Sequence, residues 1–322
     1  MKPLPAPAVY TPFDSGTYKI APGLIPLGRP LGNGLVDKLV FQFDREFDAF
    51  RKNTCEARAD DIGKYYGVSE FTRSVQAAVL SYIVCQVAIE HPQCFTAEQR
   101  QGTTRLDCTQ TSETLLFDQA FNLLPESDGD YASAFDAIAS QVQENLAIVR
   151  VEDDRDWLAA LHVTAPNYWD PSEKLGKNFV DVHAPVAGIE PLNNSAPALA
   201  SAMTRNVRYQ RFAWGLTTDR RLNHHPNPPT AFDGTPSEWY GRAFDRSDPM
   251  LYVRIERQVI IGFEDVSAFL FCIRPYFLDC ATMQPQHRAM LRSALKSMTD
   301  ASRTYKGLDE SFREITEWLN RK

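Results

Sequence analysis

The sequence predicts an α+β protein in which a small antiparallel sheet is flanked by helices. Three observations predict this class. Helical patterns dominate the first 150 residues and return after residue 285. Two adjacent apolar strands stand at 250–263 and 268–278, and the strands and helices do not alternate as they would to build a parallel sheet. Strands and helices are therefore expected in separate parts of the chain.

The composition indicates a globular protein. Of the 322 residues, 43% are hydrophobic and 23% are charged, which is enough to build a sizeable core. The net charge of −7 argues against a general nucleic-acid binder and against a basic membrane-surface helix. The longest apolar run, 77–89, is too short to span a bilayer, and the first 30 residues lack the apolar stretch of a signal peptide. We expect a cytoplasmic protein that contacts neither nucleic acid nor membrane.

The first half of the chain predicts an arm followed by helices. Residues 1–35 are rich in Pro and Gly, which favours an extended arm over the domain. Ser69 is a candidate cap for the second helix, which Pro92 ends. The predicted helices lie at 44–65, 69–91, 113–124 and 131–148.

The second half predicts strands and then helices. We expect a strand at 157–163, a short extended segment at 179–183, a helix within 193–210, an antiparallel hairpin at 250–278 and helices over 285–322. The chain is expected to form a single domain over 1–322. Its predicted parts are a mainly helical extension (1–150), a β-rich core (151–284) and C-terminal helices (285–322).

Two arginines fall on apolar strand faces. Alternation puts Arg257 on the face of Val253 and Val259 and sends Glu256 to the opposite face. Arg274 likewise stands among apolar residues on the second strand. A buried arginine needs a partner. Two interpretations stay open: a structural ion pair, or a cation that faces a ligand pocket.

The histidines and cysteines form no familiar metal or catalytic motif. The chain has no H-E-x-x-H and no C-x-x-C, and it also lacks G-x-G-x-x-G, P-loop and G-x-S-x-G sequences. The cysteines, Cys85 and Cys272 especially, are expected as buried free thiols. His162 is expected to be a satisfied core residue, and His224 and His225 a solvated loop pair. His183 stands before a proline-fixed turn, so it is either structural or rigidly aimed at a ligand.

Several sequence blocks resemble a known family. Residues 166–176 read P-x-x-W-x-P-x-x-K-x-G and residues 182–186 read V-H-x-P-V. With the blocks at 143–148, 211–214, 254–258 and 271–274, they resemble the haem-dependent oxidative N-demethylase family, which includes the α-subunit of dimethylamine monooxygenase. The blocks occur in the family's order.

The resemblance implies a PAS-like antiparallel sheet that holds haem b, with a helical N-terminal extension. It implies a haem-dependent monooxygenase that uses O2 to demethylate a small secondary amine. Electrons would come from a partner reductase with a flavin and an iron–sulfur centre. The chain departs from the family pattern at Asn145, Ala187 and Ala213, which implies a changed substrate.

The resemblance also implies roles for individual residues. His183 matches the motif histidine and would ligate the haem iron, and Asp181 could hold its other nitrogen if the fold brings the two together. Arg257 and Arg274 match strand arginines that would stabilise charge on bound oxygen, and Glu256 would receive a substrate ammonium if it faces the pocket. The expected haem contacts are Lys174, which could meet a propionate, Arg211 and Trp214.

Other functions remain open at this point. A haem-based gas or redox sensor would have to signal to a separate partner, because the chain contains no recognisable output region. A haem enzyme without O2 chemistry, such as a dehydratase or an isomerase, is a third possibility. A haem-free member of the family with another small ligand is the fourth.

Overall fold

The computed structural model describes residues 4–32, 34–153 and 155–320. Within these ranges the chain combines ten strands with ten helices, which confirms the predicted α+β class. The strands are β1 (Ile25–Pro26), β2 (Tyr66–Val68), β3 (Phe95–Arg100), β4 (Thr103–Cys108), β5 (Glu113–Phe117), β6 (Asn145–Glu152), β7 (Arg155–His162), β8 (Arg208–Thr217), β9 (Tyr252–Phe263) and β10 (Ala268–Asp279).

The helices are short apart from three. They are α1 (Phe47–Asp61), α2 (Arg73–Glu90), α3 (Ala134–Ala139), α4 (Phe179–His183), α5 (Glu190–Asn193), α6 (Ala196–Thr204), α7 (Pro236–Tyr240), α8 (Pro285–Lys296), α9 (Asp300–Tyr305) and α10 (Phe312–Trp318). In the described part of the chain, none of them has the length and apolarity that crossing a bilayer requires.

Seven strands form the main sheet, in the order β1-β8-β9-β10-β6-β7-β2, and each neighbouring pair is antiparallel. The predicted hairpin is confirmed: β9 and β10 pair along their whole length, with Arg257 opposite Arg274. A short 3₁₀ turn at Glu264–Val266 joins them, and Ser267 closes it in the left-handed region with φ of 49°.

A second sheet, β3-β4-β5, contains one strand, β5, where a third helix was predicted. The prediction of a helix at 113–124 is wrong because the burial of this segment has period two: Leu115 and Phe117 are fully buried and Leu116 between them is not. The helix predicted at 131–148 is only α3. Strand β6 follows it, and both of its faces are covered around Ala147 and Ile148, so its residues form a continuous apolar run.

Two other local predictions also need correction. Helix α2 is capped by Thr72 and not by Ser69, because the Thr72 hydroxyl accepts a hydrogen bond from the Val75 N–H at 3.5 Å. Residues 179–183 form a helical turn and not an extended segment. Asn178 caps that turn, since its side-chain oxygen accepts from the backbone N–H of Asp181 at 2.8 Å.

The main sheet has two distinct faces. The core face carries Val253, Ile255, Arg257, Val259 and Ile261 of β9, and it packs against α1–α3 at one end and the C-terminal helices at the other. The site face carries the alternate residues Arg254, Glu256, Gln258 and Ile260. Helix α6 covers the end of this face near Ile260, through Met203.

The arm before residue 35 lies along the domain, as predicted. Phe13 is fully buried in the core near the C-terminal helices. The Tyr276 hydroxyl accepts a hydrogen bond from the Tyr10 N–H at 3.1 Å and donates one to the Tyr10 carbonyl at 3.0 Å. The arm is therefore part of the packed structure.

Ion pairs on the core face bind the segment that follows the arm. Arg257 Nε lies 2.5 Å from Asp37 Oδ2, and its guanidinium also donates to the carbonyls of Leu39 and Val40. Arg274 Nη2 lies 2.5 Å from Asp44 Oδ2. Both arginines are only 1% exposed. Of the two interpretations of these arginines, the structural ion pair is the one that the geometry matches.

Removing one of these cations should strongly destabilise the fold. Arg274→Ala leaves the Asp44 carboxylate buried without its partner, and we expect a loss of about 3–5 kcal/mol in the free energy of unfolding. Denaturant unfolding would measure it. As a control, Lys52→Ala breaks an exposed pair with Glu56 at 3.7 Å and should cost about 0.5 kcal/mol or less. Similar losses for the two variants would contradict the structural role of Arg274.

Candidate active site

His183 ends the short helix α4 and lies beside the site face. Its Nδ1 is 2.8 Å from the Phe179 carbonyl oxygen, and its ring packs on the Phe179 ring with centroids 4.2 Å apart. A carbonyl oxygen only accepts, so Nδ1 carries the hydrogen and Nε2 keeps its lone pair. Burial is the main cause that lowers the pKa of His183, so the imidazole is neutral at pH 7.

Two cations lie near this imidazole. The Lys174 ammonium donates to the Val182 carbonyl at 3.2 Å, and burial lowers the pKa of Lys174. Arg211 lies on β8 opposite Gln258, which puts it on the site face. The charges of both Arg211 and Lys174 add to the burial that lowers the pKa of His183. Neither cation has a carboxylate oxygen within 4.0 Å in the described ranges.

Glu256 stands on the same face as Arg211. It is partly exposed, and its Oε2 accepts a hydrogen bond from Gln258 Nε2 at 3.1 Å. Two more cations, Arg242 and Lys306, reach this part of the sheet. Burial lowers the pKa of Lys306 to about 8, against the opposing charge of Glu256. Neither cation was predicted, because Arg242 stands in a loop and Lys306 follows α9, outside any motif.

A buried hydrogen-bonded chain supports the wall beside Glu256. His224 Nε2 lies 2.9 Å from Asp219 Oδ1, and His224 Nδ1 lies 3.0 Å from Arg254 Nη1. Since Arg254 only donates, Nδ1 is the acceptor and Nε2–H donates to the carboxylate. Arg254 also donates to the carbonyls of Ala165 at 2.8 Å and Leu222 at 2.7 Å. It therefore fixes two loops to the floor of the site face.

The prediction of a solvated pair at His224 and His225 is wrong. Both residues are only 1% exposed. The His225 carbonyl accepts a hydrogen bond from Trp239 Nε1 at 2.6 Å. The Nδ1 atom of His225 lies 3.0 Å from the Asn227 carbonyl oxygen. A loop dense in proline was expected at the surface, but Trp239 and Arg254 give its polar groups buried partners.

The structure separates the predicted site residues into two groups. His183, Lys174, Arg211 and Glu256 lie on the site face. Arg257, Arg274 and Trp214 do not.

These three residues lie on the core face. Trp214 pairs in register with Ile255 and packs edge-on against Phe13 with ring centroids 5.7 Å apart. It is therefore a core side chain of the face opposite Arg211. The registers of β9 and β10 put Arg257 and Arg274 on this face too, on the other side of the sheet from Glu256, as alternation along β9 predicted.

The remaining candidates for metal chemistry have structural partners. His162 is buried with Nε2 3.2 Å from Asp136 Oδ1, as predicted for a core histidine. Cys272 is a buried free thiol, whereas Cys85 points outward from α2 and is exposed, contrary to expectation. Across the described residues, no three His, Cys, Asp or Glu side chains stand together as a metal site would need.

A comparison with protein families matches residues 35–315 to the family described as haem-dependent oxidative N-demethylase, alpha subunit-like. The chain belongs to this family. The match spans most of the sequence, including both faces of the main sheet, and it confirms the resemblance found in the sequence blocks. A comparison with curated proteins found no match.

Membership gives the function at family level. The family description points to an enzyme that depends on haem and removes N-linked methyl groups oxidatively. The matched region contains the helix that carries His183, strands β8 to β10 and the loops that hold Arg242 and His224. All of the site-face residues described above therefore lie within the part of the chain that matches the haem-dependent family.

The buried His224 should make stability depend on pH. Burial lowers the pKa of His224 to about 4, against 6.5 in an unfolded chain, although the bond to Asp219 opposes this. Between pH 6.5 and 4 the unfolded state therefore binds a proton that the folded state does not. As the pH is lowered through this range, the free energy of unfolding decreases by up to about 3 kcal/mol. Denaturant unfolding of wild type and His224→Gln across this range would measure it. We expect a flatter curve for the variant, and parallel curves would contradict the prediction.

Proposed function

We propose that the protein is a haem-dependent monooxygenase that removes a methyl group from the nitrogen of a small amine. In this proposal haem b lies on the site face and His183 Nε2 ligates its iron. The observation that carries it is the His183 imidazole, which is neutral, fixed in one tautomer and flanked by two cations that have no carboxylate partner among the described residues.

The geometry of His183 supports iron ligation. Histidines that bind metals usually donate their other ring N–H to a carbonyl or carboxylate, which fixes the ring and leaves the second nitrogen as the ligand. Here the Phe179 carbonyl accepts that hydrogen bond at 2.8 Å, and not Asp181, which was a candidate for this part. Over the described residues the Nε2 atom of His183 makes no hydrogen bond that would compete with a metal.

The nearby charges support a porphyrin with propionates. Arg211 Nε is buried and has no hydrogen-bond partner in the described part of the chain. Lys174 is buried and bonded to a neutral carbonyl. Unpaired buried cations are costly, so a ligand that brings carboxylates would stabilise them. Haem b carries two propionates, and we propose that Arg211 and Lys174 receive them.

The sheet order supports a PAS-like core. Numbered along the chain from β6, the five central strands stand in the order 2-1-5-4-3, and the helices that carry His183 lie between the second and third strands. We propose that these strands and helices form the haem-binding core, with residues 1–150 as an extension and 285–322 as a helical cover.

The proposed reaction balances with one external electron donor. Bound haem would supply the activation of O2. One O2, two electrons and two protons convert the N-methyl group to a carbinolamine and water, and the carbinolamine then divides into formaldehyde and the demethylated amine. The electrons would come from a partner reductase with a flavin and an iron–sulfur centre, which the lack of a C-x-x-C pair in this chain supports.

We assign Glu256 to the substrate. Its carboxylate lies on the site face and is partly exposed, so it can accept a hydrogen bond from a protonated amine. A fixed carboxylate would hold the nitrogen and thereby orient its methyl groups. Arg257 and Arg274 have no part in this proposal because their guanidinium groups are engaged on the core face.

Haem titration tests the ligand. We expect purified protein to bind added haemin with a Soret shift, and His183→Ala to lose about tenfold or more in haem affinity. Added imidazole should restore the ligated spectrum of the variant. The control His287→Ala removes a histidine of α8 and should bind like wild type. Unchanged haem affinity and spectrum in His183→Ala would refute the assignment.

Formaldehyde release tests the role of Glu256. A charge-assisted hydrogen bond contributes about 1.5–3 kcal/mol, so Glu256→Gln should lower kcat/KM about tenfold to a hundredfold for dimethylamine with a photoreduced flavin as electron donor. The haem spectrum should not change. Glu264→Gln, at the exposed turn after β9, is the matched control. If the two variants turn over at the same rate, Glu256 does not bind the substrate.

A further inference from the structure

The site face carries more positive charge than the haem alone explains. Around Glu256 stand Arg211, Arg242 and Lys306: the charge of Glu256 acts on Arg211 and on Lys306, and the charges of both arginines act on Lys306. With the charge of Arg254 set against that of Asp219, these three cations and one carboxylate leave two positive charges, and Lys174 adds a third near His183. In the ranges that the structure describes, neither Lys174 nor any of these three cations has an ion-pair partner within 4.0 Å.

Lys306 lies over a gap that glycine leaves in the sheet. A Cβ atom at Gly215 would lie 3.7 Å from Lys306 Cδ and 3.9 Å from its Nζ. Gly215 pairs with Arg254 on the site face, two residues from Glu256. The ammonium therefore reaches the sheet itself, and a larger residue at position 215 would restrict the ammonium's position.

Arg242 is held by aromatic rings. Its guanidinium lies 3.4 Å from the centroid of the Tyr168 ring, and Nη1 donates to the Tyr240 hydroxyl at 3.1 Å. Its Nε is buried without a hydrogen-bond partner among the described residues. Stacking fixes the position of this cation but does not neutralise its charge. An anion bound here would find an arginine already in place.

Arg211 and Lys306 stand on either side of Glu256 along the site face, because Arg211 pairs with Gln258, Glu256 pairs with Ala213, and Lys306 lies over Gly215. The charges of Arg211 and Lys174 both act on His183. Arg242 lies beside Lys306, because a Cβ atom at Gly307 would meet Arg242 Nη1. Two haem propionates would meet the first pair, which leaves the second pair and the carboxylate between them for a smaller ligand.

We propose that the substrate is a zwitterion: an N-methylated amino acid whose ammonium meets Glu256 and whose carboxylate meets Lys306 and Arg242. The inference rests on the proposed function, since the reaction at the N-methyl group is the one given above. It adds the substrate's second charge and the two residues that select for it.

Calorimetry on the haem-loaded protein tests this without turnover. The probes are N,N-dimethylglycine, which carries both charges, and dimethylamine, which carries only the positive one. A carboxylate held by two cations should make dimethylglycine bind about tenfold to a hundredfold more tightly. Equal affinities, or tighter binding of dimethylamine, would overturn the proposal. This comparison requires only wild-type protein.

Variants then identify the residues. Lys306→Met should remove most of the advantage of dimethylglycine and leave dimethylamine unchanged, and Arg242→Gln, on a separate loop, should act in the same direction. Lys296→Met, at an exposed position of α8, is the matched control and should leave both affinities unchanged. If Lys306→Met instead weakens haem binding and keeps the affinity for dimethylglycine, the cation holds a propionate and the proposal fails. A protein that never binds haem would refute the proposed function first, which is a separate result.

Discussion

The structure depends on the alternation of side chains along strand β9. Glu256 and Arg257 are neighbours in sequence, yet the pleat sends their charges to opposite faces of the main sheet. A register shift of one residue would exchange them, placing the arginine at the site and the carboxylate in the core. The pairing of β9 with β10 along its whole length, and with β8 from Tyr252 to Ile261, opposes this shift. The chemistry of one face and the stability of the other thus rest on the same register.

Arginines on the two faces have opposite environments. On the core face, Arg257 and Arg274 are neutralised by Asp37 and Asp44, so the chain after the arm must fold over the sheet before these cations are stable. The cost of burying charge is visible nearby, where burial raises the pKa of Glu144 to about 7 although Arg274 opposes it. On the site face, Arg211 has no carboxylate partner among the residues that the structure describes. Paired cations serve the fold, whereas unpaired ones are available to a ligand.

The sequence predicted the hairpin and the separation of Glu256 from Arg257, because these follow from two adjacent strand patterns and period-two alternation. It predicted His183 as the residue to examine, but through a family motif. Alternation could not find the Asn178 cap that turns 179–183 into a helix, nor the Phe179 carbonyl that fixes the imidazole. The burial of His224 was also out of reach, since it depends on Arg254 from a strand 30 residues later. The burial of such residues depends on partners that are distant in sequence, and the local sequence pattern carries no information about those partners.

The segment Lys306–Leu308 passes from the site face to the core face at the edge of the main sheet, and it brings the Lys306 cation to the site. Lys306 lies over Gly215 on the site face, whereas Leu308 is buried with the core-face residues. Gly307 makes this crossing with φ of 65°, and a Cβ there would clash with Arg242 Nη1. Short strand β1 pairs only with residues 209 and 210 of β8, so the edge beyond Arg211 is open to passage. The C-terminal helices therefore do more than cover the core, because their packing delivers a cation to the opposite face.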